Sequence, residues 1–75
     1  MTNTELLKEK IKKCGYRIDY VATQAGISYQ AFYNKAENRT EFLASEIMKI
    51  SELLKLTDDE RNDIFFVNSV NINHA

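Results

Sequence analysis

The sequence predicts one all-α domain of five helices, and three observations predict it. Apolar side chains recur at three- and four-residue intervals from Leu6 to Phe66, the spacing that gathers them on one face of a helix. Both glycines, Gly15 and Gly26, fall between those amphipathic stretches, and proline is absent, which reads as helices joined by tight connections. Residues of the helix-capping type stand at the head of three stretches: Thr2 or Thr4, Ser28 and Thr57.

The elements follow in order. Helix 1 is expected over 4–14, with Leu7, Ile11 and Cys14 on its inner face and Leu6 beside them. Thr2 and Glu5 have capping-box spacing, with Thr4 as the other candidate cap. Gly15 suits the left-handed position that ends a helix. Helix 2 is expected over 18–25, burying Ile18, Val21, Ala22 and Ala25; Arg17 makes a poor N-cap. Gly26-Ile27-Ser28 forms a short turn, and Ser28 caps helix 3 over 29–36, with Ile27 and Phe32 inward. Residues 37–42 read as a polar loop with Phe42 tucked back. Helix 4 is expected over 44–54 around Ile47, Ile50 and Leu54, flanked by Met48 and Leu53. Thr57 and Glu60 form a second capping-box pattern and open helix 5 over 58–66. Residues 1–66 thus make the domain. The weak alternation Val70-Asn71-Ile72-Asn73 makes 67–75 a tail, read either as a short dimer strand or as a loose end.

Composition narrows the function classes. With 75 residues, 44% apolar and 28% charged, the chain suits a globular domain with a small core and is unlike a disordered tail. No apolar run approaches a membrane span, and the first residues lack the pattern of a signal peptide, so the expectation is a cytoplasmic protein with no membrane contact. Cys14 and His74 are the only cysteine and histidine, which rules out an internal disulfide and the usual four-ligand zinc set. Cys14 is expected as a small buried side chain. No nucleophile–base pair, carboxylate pair or phosphate-cradling glycine loop is visible, so neither an enzyme nor a cofactor or small-molecule ligand is expected. Net charge is −1, but residues 1–40 carry seven basic against four acidic side chains and residues 41–75 three against seven. A basic face can therefore coexist with an acidic back.

The stretch IDYVATQAGISYQAFYNKAEN, residues 18–38, resembles the helix-turn-helix of the lambda-repressor-like family, which includes the Cro-type and xenobiotic-response-element-type regulators. The matching features are Val21-Ala22, the Gly26-Ile27-Ser28 turn and Phe32. Ala22 is small where a second helix crosses closely, and Val21, Ile27 and Phe32 would lock two helices at a steep angle. The run AFYNKAENRTEFLASEIMKISELLKLT resembles small phage-type repressors from low-GC Gram-positive bacteria, matching at Lys35-Ala36, Asn38, Arg39, Phe42, Glu46-Ile47 and Ile50. The ending DDERNDIFF resembles their fifth helix, so the likeness spans about residues 4–66. Three positions depart from the pattern. Arg17-Ile18 stands where Thr-Gln is common, Arg39 where a glycine often follows the reading helix, and Leu43 where a polar cap is usual.

The resemblance implies a sequence-specific transcriptional regulator, a Cro-like phage or prophage repressor that occupies a double-stranded DNA operator as a homodimer, associated with the nucleoid. Helix 3 becomes the reader, with Ser28, Tyr29, Gln30, Tyr33 and Asn34 facing bases. Gln30 and Asn34 are each able to pair bidentately with adenine. Arg17, Lys35, Asn38 and Arg39 become phosphate anchors, which fix register without reading sequence. The apolar cluster Ile64-Phe65-Phe66 is the expected dimer contact. The alternative is a protein-interaction module on the same fold, an antitoxin or antirepressor with no operator of its own.

Overall fold

The computed structural model describes residues 1–67. The chain is all-helical over these residues, with α1 at Thr4–Lys13, α2 at Ile18–Ala25, α3 at Tyr29–Ala36, α4 at Ala44–Leu54 and α5 at Asp58–Phe65. None of the helices is long and apolar enough to cross a membrane. The expected tail segment Val70–Asn73 and His74 lie outside the described residues.

Local chemistry explains most helix ends. Ser28 Oγ accepts from the Ala31 N–H at the start of α3. Thr57 and Glu60 form a complete capping box on α5. Gly26 ends α2 with φ 81°, a left-handed conformation that glycine adopts without a side-chain penalty. One start differs from the sequence reading, and another, at the expected Leu43, is capped from inside the helix. The cap of α1 is Asn3, whose side chain accepts from the Leu6 N–H. Neither threonine is free to do this: Thr2 is buried, and the Thr4 hydroxyl donates to the Ala36 carbonyl. At α4 the cap residue is Leu43, which offers no acceptor. Glu46, three positions on, turns back and accepts from the Leu43 N–H at 2.9 Å, supplying half of a capping box.

The core joins all five helices through Leu7, Ile11, Val21, Ala22, Ala25, Phe32, Ala36, Ile47, Ile50, Leu54, Ile64 and Phe65. Two helix groupings dominate the packing: α2 lies against α3 and α4, and α1 lies against α5. Phe42 welds them, its ring meeting Phe32 edge-on at 5.6 Å and Phe65 at 5.3 Å between centroids, an arrangement favoured by the ring quadrupoles. Ile64 and Phe65, expected at a dimer surface, are 0% and 4% exposed and belong to this core. The physical reason is that α5 needs those two side chains to cover α1 and Phe42. Phe66 alone of the three is exposed. Cys14, expected inside, is also exposed; it follows the last turn of α1, and its thiol reaches only to the Leu54 carbonyl at 3.8 Å.

Both ends of the described chain are tied together. The Asn3 N–H donates to the Ile64 carbonyl at 2.7 Å, and the Val67 N–H donates to the Met1 carbonyl at 3.0 Å.

Candidate nucleic-acid interface

Helix α3 divides cleanly into two faces. Phe32 and Ala36 are buried, whereas Tyr29, Gln30 and Tyr33 are all exposed. Asn34 is half-buried at the edge of that face, and Ser28 is exposed at its head. The five expected base-reading residues therefore share one surface.

Their side chains form a connected array. Tyr29 and Tyr33 stack with centroids 6.4 Å apart. The Arg39 guanidinium lies 5.6 Å from the Tyr33 ring centroid, within range of a cation–π attraction. Arg39 also donates to Asn34 Oδ1 at 3.4 Å, and Gln30 Nε2 donates to the same oxygen at 3.2 Å. At the other end, Arg17 and Tyr29 line one open cleft with Ile18 and Asp19. Arg17 makes a 3.3 Å ion pair to Asp19, with side-chain exposures of 85% and 57%; a pair this wet is weakly held and easily exchanged for another anion. The face thus presents amides, phenols and two arginines in sequence.

Two expected phosphate anchors are committed elsewhere. Lys35 Nζ bonds both carboxylate oxygens of Glu46, at 2.6 and 2.8 Å, and the two side chains are only 15% and 7% exposed. Burial pushes the Glu46 carboxyl up, but hydrogen bonds from Lys35 and the Leu43 N–H outweigh it and hold the group below its ordinary range. Lys35 is therefore a strut between α3 and α4. Asn38 has φ 67°, in the left-handed region that asparagine enters more readily than most side chains. Its side chain accepts from the Thr2 N–H at 2.8 Å and donates to the Thr2 carbonyl at 2.9 Å. Both groups of that amide are spent on holding the start of the chain.

The rest of the basic side chains are also divided by geometry. Lys8 pairs with Glu37 at 3.1 Å, Lys10 with Glu60 at 2.7 Å, Lys13 with Glu9 at 3.7 Å and Arg61 with Asp58 at 3.2 Å. Hydrogen bonding to Glu37 and to Glu60 raises the Lys8 and Lys10 ammonium groups above their ordinary range. Lys49 was not singled out in the sequence, yet its ammonium reaches the α2–α3 turn, 3.6 Å from where a Cβ on Gly26 would stand. It is exposed and makes no ion pair among the described residues. No sequence spacing signals this, because Lys49 arrives from α4 by tertiary packing. Among the described residues no three His, Cys, Asp or Glu side chains group as a metal site.

Comparisons with protein-family models, curated proteins and solved structures yield no match to this chain.

Proposed function

We propose that α2 and α3 form a helix-turn-helix and that the chain is a sequence-specific DNA-binding regulator, a Cro-like repressor of the lambda-repressor-like kind, acting by occupying an operator. The observation that carries this reading is the outward face of α3. A short helix whose inner face is locked by Phe32 and Ala36 exposes Tyr29, Gln30, Tyr33 and Asn34 as one polar strip. Arg17 and Arg39 bound that strip, one at each end. Amide side chains in that setting suit base edges in a major groove, and arginines beside them suit phosphates. Lys49, beside the turn, adds a third cation in place of Lys35.

The dimer in this proposal uses Phe66, which is 54% exposed, together with Met1, 65% exposed; the two border the same surface hollow. Two copies would read half-sites about one helical turn apart, roughly 34 Å. The interaction-module reading draws on a different observation. Among the described residues six of the ten basic side chains are ion-paired, which leaves a weak field for nucleic acid.

Selection of duplexes from a random library, followed by salt titration on the selected and scrambled sequences, tests the proposal. Sequence preference with a negative slope of log K against log salt is expected. Arg39→Ala should reduce that slope by about one unit, and Phe66→Ser should weaken self-association in sedimentation. Binding that shows neither preference nor salt dependence leaves the interaction module as the reading.

A further inference from the structure

The geometry points to Arg39 as a specificity-determining residue that fixes which base Asn34 can read. The inference rests on the DNA-binding reading above and deepens it. An amide side chain has an oxygen that accepts and a nitrogen that donates, and only its surroundings decide which one faces which way. Guanidinium is purely a donor. The Asn34 atom facing Arg39 is therefore the oxygen, as the 3.4 Å contact to Oδ1 has it. Once that oxygen is fixed, the Gln30 atom facing it must be a donor, and it is Nε2 at 3.2 Å. One arginine thus orients two amides in series.

The consequence is a change of hydrogen-bond polarity along the face. Asn34 Oδ1 has two acceptor positions, and Gln30 and Arg39 fill both. What Asn34 has left is its Nδ2, which only donates. Bidentate pairing with adenine needs an acceptor for N6–H and a donor for N7, so Asn34 in this state cannot make it. Guanine offers two acceptors, O6 and N7, at the same edge, and is the purine a donor-only group prefers. Gln30 differs: it keeps Oε1 and one N–H, the set that adenine requires. Adjacent amides on one helix are therefore given unlike preferences by a residue in the following loop. Arg39 itself is exposed and ion-pairs with no residue among those described, so replacing it disturbs no core contact.

The test uses the full chain and duplexes selected from a random library. Asn34→Ala identifies the base pair that depends on Asn34, as the one where preference collapses. The wild-type protein should favour guanine over adenine there. Arg39→Met removes the donor while keeping most of the stem, and should cut the guanine-to-adenine ratio at that pair by about tenfold, leaving other pairs unchanged. Asn34→Asp keeps both internal hydrogen bonds but loses the outward donors, and should abolish the guanine preference. Circular dichroism checks that each variant is folded. A wild-type preference for adenine at that pair overturns the inference. So does an Arg39→Met variant that loses affinity evenly across all sequences, since Arg39 would then be a phosphate anchor alone. In both cases selective DNA binding would survive. If the wild-type protein selects no sequence at all, the DNA reading fails first and this inference falls with it.

Discussion

Truncating Lys35 should unfold this domain more readily while leaving the salt dependence of the proposed DNA binding unchanged. The Lys35→Ala variant removes the ammonium that bonds both oxygens of Glu46 and leaves a carboxylate that is 7% exposed with the Leu43 N–H as its one hydrogen bond and the charge of Lys49 nearby. Breaking a fully buried pair from one side costs about 3–5 kcal/mol. The retained Leu43 hydrogen bond and the 15% exposure of the lysine side place this case lower, at about 2–3 kcal/mol. Each kcal/mol moves the midpoint of a domain this size by roughly 4–8 °C, so a fall of about 10–20 °C is expected in thermal melts. The double variant Lys35→Met with Glu46→Gln should recover most of the loss, because both charges go and the glutamine oxygen still accepts from Leu43. Salt titration of the folded Lys35→Ala protein should give the wild-type slope, since no phosphate contact has been lost. A melt shifted by less than about 4 °C, with a slope reduced by one unit, would refute the argument and restore Lys35 as a phosphate anchor.

Three further outcomes are expected. Ser51 Oγ is buried and has no hydrogen-bond partner among the described residues, so Ser51→Ala should stabilise the fold by about 1 kcal/mol in urea denaturation; a destabilised variant would show that the hydroxyl has a water partner. Glu46 and Glu60 are both held below the ordinary value of 4.5. Depressed carboxyls stabilise the folded state above their unfolded value and lose that contribution as pH falls through the folded one. Stability should therefore be flat near neutrality and drop below about pH 4.5, with the drop shallower in Glu46→Gln, as urea midpoints across pH would show. Cys14 is exposed, so an aromatic disulfide reagent should label it in native protein without waiting for unfolding; labelling that slows as the fold is stabilised would place the thiol inside.

The helices were legible because their signals are local. Ser28, Thr57 with Glu60, and Gly26 act on backbone groups within three residues of themselves, and sequence spacing carries that information. What the spacing does not carry is which polar residue has a distant partner. Thr2 has capping-box spacing, but Asn38 claims its backbone from the far end of α3, and the cap passes to Asn3. Lys35 has the composition of a phosphate anchor and becomes a strut only because Glu46 swings back to cap α4. Ile64 and Phe65 look like a surface cluster in a short charged helix until Phe42 and α1 are seen to need them. The amide face of α3 was legible for the opposite reason: burial of Phe32 and Ala36 turns positions 30 and 33 outward by helix periodicity alone.

The hydrogen bonds from Asn3 to Ile64 and from Val67 to Met1 impose an order in time on a chain leaving the ribosome. Helices α2, α3 and α4 are consecutive, and α2 packs against the other two, so that trio can assemble as soon as residue 54 has emerged. Helix α1 is made first but finds its main partner, α5, last. Until then its Leu7–Ile11 stripe lacks part of its cover. The same division should persist in the finished molecule as two layers of opening: α1 and α5 detach as a pair at lower cost, and the trio holds until global unfolding, a pattern that amide exchange resolves segment by segment. The strip of α3 would then stay assembled through the commonest fluctuations, with the nascent-chain seam, closed last, being the first to open.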